Sequence, residues 1–216
     1  MRISIKTSTL LKLVIDQINL FFPDGKAVHE HDLKKSFDHT TQRLEFCFSK
    51  VNNKYFHDDN KVFFNHLNGD QYAIFLYYLS NTCFNNNVED DICTKIFLLN
   101  RLLNGIDMFY EVDLPDVFLL VHPIGTILGR GKYSDYLVVY QRCGIGSNHD
   151  IYPTLGKNVT LRPGASIIGK CKIGQNCEVA AESLLLDKDL DKNTLYVGNP
   201  KEYSIYKREK RNPIWL

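Results

Sequence analysis

Two rhythms divide the chain. Apolar residues recur at helical spacing up to about residue 110, and beyond that they recur in sixes. Leu10, Leu11, Val14, Ile18 and Phe21 make one face of a helix that Ser8 caps and Pro23 stops. "QYAIFLYYLSNTCF" (71–84) is apolar on nearly every side, which predicts a buried helix. Ile92, Ile96, Leu99 and Leu103 form another face, with Gly105 placed to end it. "HTTQRLEFCFSKV" adds one more helix, and the rest of 23–70 shows no clear period.

From Val121 the step of six gives Val121, Ile127, Tyr133, Val139 and Ile145, with Gly125, Gly131, Leu137, Cys143 and His149 four places after each. The beat breaks around "HDIYPT" and resumes four residues late at Leu155, Leu161, Ile167, Ile173 and Val179. Their companion column is Val159, Ala165, Cys171, Cys177 and Ser183, all small. Neither the 3.6 period of a helix nor the period of two of a strand yields a step of six. Short strands wound coil on coil do, with the aliphatic residue filling the core and small residues fitting the corners. The chain therefore reads as α+β: a mainly helical N-terminal domain (1–115), a parallel β-helix of hexapeptide repeats (116–200) and a basic C-terminal tail (201–216), taken as solvated.

Composition narrows the function classes. Among 216 residues, 26 Lys and Arg against 25 Asp and Glu leave a net charge of +1, so no global field draws nucleic acid or anionic lipid. The six cysteines contain no CxxC pair, which argues against a zinc site or a disulfide framework. Cys171 and Cys177 fall in the small-residue column and read as packing residues. "HEH" (29–31) lacks a third ligand and reads as solvated surface, so no metal is expected. No apolar run approaches the ~18 residues that cross a bilayer, and the start lacks a small-residue cleavage site. The expected location is cytoplasmic, with peripheral contact to the inner face of the membrane left open.

The second rhythm carries a resemblance. "VVYQRCGIG" (138–146) is similar to the "YQ…LG" coil of the hexapeptide acyltransferases, which precedes an extruded loop. "YPTLGKNVTLRPGASIIGKCKIGQNCEVAAESLLLDKDLDKNTLYVGNP" (152–200) resembles that family's closing coils and the G-x-P turn after them. The likeness covers about residues 105–200 and is strongest to serine acetyltransferases and to the related O-acetyltransferases of capsule and lipopolysaccharide gene clusters. It implies a left-handed β-helix; general crossover rules alone favour the right hand. The helical half is only loosely similar to the N-terminal part of serine acetyltransferases.

The resemblance also assigns roles. "HPIGTILG" (122–129) matches the family's H-x-x-G-x-x-x-G stretch, which makes His122 the catalytic base, with Gln141 in the "YQ" coil beside the substrate. Neutral imidazole suits the removal of a hydroxyl proton near pH 7. A carboxylate that holds the tautomer is expected from "VDLPD", Asp113 first and Asp116 second. Arg162, Lys170 and Lys172 are placed to meet the phosphates of acetyl-CoA, and Ala180 and Ala181 to let its pantetheine arm approach. The family's packing of that arm between subunits implies a homotrimer with active sites at its interfaces. Two departures stand out: Tyr152 replaces the histidine that serine acetyltransferases carry before the proline after the loop, and Val121 replaces an aspartate. These, with one coil fewer ahead of the catalytic stretch, direct the expected acceptor toward a glycan or activated sugar of a surface polysaccharide. Tyr152 and His149 in the extruded loop are its candidate contacts. The alternatives are a catalytically inactive assembly or binding module, serine O-acetylation, and N-acylation of an amino sugar.

Overall fold

The helical period is realised as four helices among the described residues, α1 (Thr7–Phe21), α2 (Glu30–Phe48), α3 (Gly69–Asn85) and α4 (Asp90–Asn104). The computed structural model describes residues 1–209 and 212–216 and separates into two units: Met1–Asn104 with Phe109–Glu111, and Gly105–Met108 with Val112–Leu216. Lys210 and Arg211, part of the expected basic tail, lie outside the described residues.

In the first unit α3 is the central helix, and its sequence dictates that. Every residue from Gln71 to Cys83 is buried, so it cannot lie at the surface. Asn68 caps it by accepting a hydrogen bond from the Gln71 N–H. Phe75 packs edge-on to Phe37 at 6.0 Å and against Phe64 at 5.4 Å. Two expectations need correction. Helix α1 begins at Thr7 with Lys6 as its uncapped N-cap, so Ser8 lies inside the helix. Phe21 and Leu103, at the last turns of α1 and α4, are exposed. His29, Glu30 and His31 are exposed, as expected, and His29 also opens α2: its N–H donates to the Asp32 carboxylate at 2.8 Å. A small sheet of β1 (Arg2–Ile3), β2 (His57–Asp58) and β3 (Lys61–Phe64) also went unanticipated, because strands this short carry no readable alternation. Its hairpin turns at Asp59 and Asn60, both in the left-handed region.

The second unit is a left-handed parallel β-helix with three faces. The first face is β4 (Phe118–Val121), β6 (Leu137–Tyr140), β9 (Thr160–Leu161), β12 (Glu178–Val179) and β14 (Thr194–Asn199), all parallel. The second is β5 (Ile127–Leu128), β7 (Gly144–Gly146), β10 (Ser166–Ile168) and β13 (Leu184–Leu186). The third is β8 (Thr154–Leu155) and β11 (Lys172–Ile173), extended by single bridges from Lys132 to Thr154 and from Ile173 to Leu190.

Leu155, Leu161, Ile167, Ile173 and Val179 all point inward and are buried, as the step of six requires, and the small column Val159, Ala165, Cys171, Cys177 and Ser183 is buried with them. The earlier block begins out of phase. Leu120, not Val121, stands opposite the inward Val139, and Leu128, not Ile127, opposite the inward Ile145. Leu128 is 1% exposed and Ile127 is 56% exposed.

Where the third face turns into the first, each coil places a residue in the left-handed region: Tyr136 (φ 68°), Asn158 (59°), Asn176 (57°) and Asn193 (60°). Asparagine tolerates that conformation better than most residues, and here the amides link up the corner. Asn158 donates to Asn176 and Asn176 to Asn193, each at 2.8 Å. The expected solvated tail is instead folded back. Strand β15 (Glu202–Lys207) pairs antiparallel with β14. Arg208 then meets the Glu178 carboxylate at 3.1 Å, Asn212 donates to the Thr160 hydroxyl at 3.2 Å, and Trp215 sets its ring edge-on to Tyr136 at 5.4 Å. Open ladder groups on β14 and the carboxylate on the first face give the segment its partners.

The phase shift has a measurable consequence. Leu128→Ala should lower the free energy of unfolding by about 2–5 kcal/mol. Ile127→Ala should change it by less than about 1 kcal/mol. Equilibrium urea denaturation of the two variants checks this, and equal losses would return Ile127 to the core. All six cysteines are buried free thiols, and burial pushes Cys83 up to about 12 and Cys93 up to about 11. A thiol reagent at pH 8 should therefore label the folded chain slowly, and all six sites rapidly in denaturant.

Candidate active site

The out-of-phase start of the β-helix is where His122 sits. Along the first corner, Val121 aligns with Tyr140 and Ile127 with Gly144. His122, Pro123 and Ile124 therefore stand opposite the single residue Gln141, an excess of two over the next coil. Later coils keep the shorter turn: Arg162 to Ser166 and Ala180 to Leu184 match Tyr140 to Gly144. The extra residues push His122 out of the corner, exposed and in the left-handed region at φ 51°. Such a conformation costs a non-glycine residue about 1–2 kcal/mol, so the surroundings must hold it.

They do so through backbone and one hydroxyl. Ile124 N–H donates to the His122 carbonyl at 2.8 Å, and Gly125 N–H to the Gly105 carbonyl at 2.8 Å. Arg142 N–H donates to the Ile124 carbonyl at 3.0 Å. Thr126, 1% exposed, donates to the Tyr140 carbonyl at 2.9 Å and accepts from the Cys143 N–H at 3.2 Å, which fastens the enlarged turn to the two residues flanking Gln141 and Arg142. Sequence reasoning missed Thr126, since a threonine beside a glycine reads as an ordinary turn residue. The glycines of "HPIGTILG" are explained by space. Gly125 has φ 75°, and a Cβ on Gly129 would lie 2.7 Å from the Ile145 carbonyl oxygen.

Around His122 the surface is apolar at the rim and polar beneath. Ile124 is 70% exposed, with Ile127 beyond it. The Gln141 Oε1 is buried and has no hydrogen-bond partner among the described residues. Ala181 aligns with Gln141 down the same corner and is exposed. Next to it Arg142 and Glu182 form an ion pair that spans the coil between them, because Gly164, at φ 75°, has no side chain to block the Glu182 carboxylate.

The remaining expected residues are distributed over other places. Asp113 and Asp116 lie on the segment entering β4 and are exposed, and the Asp113 carboxylate makes no hydrogen bond or ion pair among the described residues. Arg162 is bound to Glu178 at 2.6 Å and lies over the Tyr140 ring, 5.3 Å from its centroid. That carboxylate raises the Arg162 pKa above its ordinary value. Ala180 precedes Ala181 at the His122 corner. Lys170 and Lys172 belong to a different corner, between the second and third faces, where their N–H groups donate to Asp187 and Asp189 at 2.7 Å. His149, at φ 49°, and Tyr152 belong to the extruded loop after β7. Asn148 of that loop donates to Asp187 at 2.6 Å, and the Lys170 N–H, with this second bond, holds the Asp187 carboxyl below the usual carboxylate range. Within one chain, then, the His122 group and the loop group occupy separate corners. No cluster of His, Cys, Asp or Glu that could hold a metal occurs among the described residues.

A helical unit followed by a hexapeptide β-helix with an exposed histidine on an enlarged first turn defines the class of fold. That fold is the one seen in serine acetyltransferases. The structure of serine acetyltransferase from Neisseria gonorrhoeae superposes with a TM-score of 0.74 at 16% identity, over 96% of this chain and 81% of that one. The coenzyme A complex of the Brucella abortus enzyme gives 0.73 at 18% identity, over 97% and 85%. In sequence, the serine acetyltransferase of Synechococcus elongatus is 30% identical over 107 residues, covering 47% of this chain and 43% of the relative. The protein described as a putative serine acetyltransferase in Schizosaccharomyces pombe is 27% identical over 119 residues, 52% and 44% respectively. The chain thus matches about half the length of these curated relatives. No family model matches it. None of the named relatives is a capsule or lipopolysaccharide enzyme.

Thr126→Val keeps the shape and removes both hydroxyl bonds, leaving the Cys143 N–H without its partner. Unfolding free energy should fall by roughly 1–3 kcal/mol. Arg142→Ala, which breaks an exposed ion pair, should cost less than about 1 kcal/mol. Denaturation curves of the two variants make the comparison.

Proposed function

We propose that the protein is an acetyl-CoA-dependent O-acetyltransferase and that L-serine is the first acceptor to assay. The observation that carries the reading is the exposed His122 on its enlarged turn, in a chain whose reported sequence relatives are serine acetyltransferases. In the proposed reaction the imidazole takes the proton of the acceptor hydroxyl as its oxygen attacks the thioester carbonyl. The carbonyl π electrons move to oxygen, then return as the C–S bond breaks. The departing thiolate takes the proton from the imidazolium, leaving an acetyl ester and free CoA.

Asp113, with Asp116 second, is proposed to orient the imidazole once substrate is bound, since catalytic hydrogen bonds often tighten only in the complex. The orphaned Gln141 Oε1 offers an acceptor to an O–H or N–H of the substrate. The exposed Ile124 and Ile127 give an apolar rim for the pantetheine arm, with Ala180 and Ala181 leaving it room. Lys170, Lys172, His149 and Tyr152 sit at another corner, so they serve this reaction if a neighbouring subunit brings that corner to His122. A homotrimer would do so. Its support is the outer side of the second face, where Gly144, Ser166 and Leu184 alternate with the inward Ile145, Ile167 and Leu185, leaving no charged residue at those positions. Among the described residues no helix is long and apolar enough to cross a membrane.

A second reading keeps the chemistry and changes the acceptor to a sugar hydroxyl of a surface polysaccharide or its precursor. Tyr152 and Val121 favour it, standing where serine acetyltransferases have histidine and aspartate. Thiol release from acetyl-CoA, with L-serine and with sugar acceptors in parallel, separates the two. His122→Ala should lower turnover by about 10²–10⁴-fold with either acceptor. Turnover near the wild-type level in that variant would sink the assignment, and calorimetry showing no CoA binding would move the protein to the non-catalytic assembly or binding modules.

A further inference from the structure

The folded-back C-terminal segment encloses a cavity of about 290 Å³ against the asparagine corner, away from the His122 turn and from the extruded loop. Its walls include Tyr136, Trp215, Asn158, Gln175, Asn193 and Lys157. The volume is near the lower end of small-molecule sites. Two of these residues carry a defect that the fold does not repair. The Asn158 Oδ1 and the Trp215 indole N–H are buried and have no hydrogen-bond partner among the described residues. A buried orphan costs about 1–3 kcal/mol, and here a lone acceptor and a lone donor belong to two residues that line one cavity.

We infer that this cavity is a binding site for a neutral sugar ring. A hydroxyl both donates and accepts, so adjacent hydroxyls of one ring answer the Asn158 oxygen and the indole N–H together once the segment adjusts around them. The remaining polar walls are primary amides, which offer the same mixture. Trp215 and Tyr136 supply flat apolar surface for the C–H groups of a ring. Among the described residues no Asp or Glu side chain lines the cavity. For a phosphate, Lys157 is the only lining cation among the described residues, and the nearby Arg208 is held by Glu178. The inference stands independently of the acetyl-transfer reading, because the cavity and His122 occupy different corners of the β-helix.

The chain contains one tryptophan, so its fluorescence reports on this cavity alone. The full chain is titrated with methyl α-D-glucopyranoside, D-galactose and N-acetylglucosamine, and separately with adenosine. At least one sugar should give a saturable change in emission, and His122→Ala should leave that affinity unchanged. Trp215→Phe, followed by saturation-transfer NMR of the sugar protons, should weaken binding by about tenfold. Gln175→Ala, an exposed substitution, should weaken it by a smaller factor and serves if the Phe variant loses its cooperative melt. The inference is overturned by the absence of a saturable response to every sugar, by saturation with adenosine alone, or by a loss of affinity in His122→Ala. Unchanged binding in both cavity variants would overturn it too.

Discussion

A coil of this β-helix can exist only if the one beside it repeats its register. Each strand is two to six residues long and has no stability alone; it is held by parallel ladders to the coils on either side and by one aliphatic side chain stacked on the same column above and below. Wherever a corner turns sharply, the backbone enters the left-handed region, and the chain supplies glycine, asparagine or a residue tied down by its neighbours. The constraint is strict enough that any departure from it is informative. Among the described residues of the second unit there are three departures: the enlarged turn at His122, the extruded loop, and the C-terminal segment that closes the last coil.

Each departure has chemistry attached to it. At the first corner, two extra residues put His122 at an exposed position while Thr126 and three backbone hydrogen bonds keep the turn from relaxing. In the loop, Asn148 and Asp187 lock a second group of polar residues to a different corner. At the end of the chain, Arg208 and Asn212 fasten a segment across the first face and leave a polar cavity under Trp215. The regular coils serve as a rigid frame that fixes the spacing of these three departures.

The same frame explains why the expected cofactor residues separate. Arg162, Lys170 and Lys172 are near one another in sequence, and a step of six carries a chain around one face of a triangular coil. Eight residues therefore take the chain from the His122 corner past the second face to the next corner. Lys170 and Lys172 cannot share a site with Ala181 in the same subunit, whatever their charge suggests. Arg162 meets a different limit, since the nearby Glu178 claims its guanidinium at 2.6 Å.

Much of this was legible without coordinates. The step of six from Leu155 to Val179 specified the β-helix and its inward residues, because burial on a short stacked strand leaves one residue per face no alternative to being aliphatic. The apolar run at 71–84 specified a buried helix for the same reason. The resemblance to the hexapeptide acyltransferases drew attention to His122 and its glycines as candidates. Local sequence misplaced the phase of the first coil, since Val121 and Ile127 are as aliphatic as Leu120 and Leu128, and only the ladder to the next coil decides between them. It misread the tail, because charge and polarity look the same whether solvated or paired with a carboxylate distant in sequence. It gave no sign of Thr126, or of the orphaned Asn158 oxygen and indole N–H, because hydrogen-bond satisfaction is a property of neighbours. Burial leaves its mark in composition and period; pairing between distant residues is settled only when the coils are stacked.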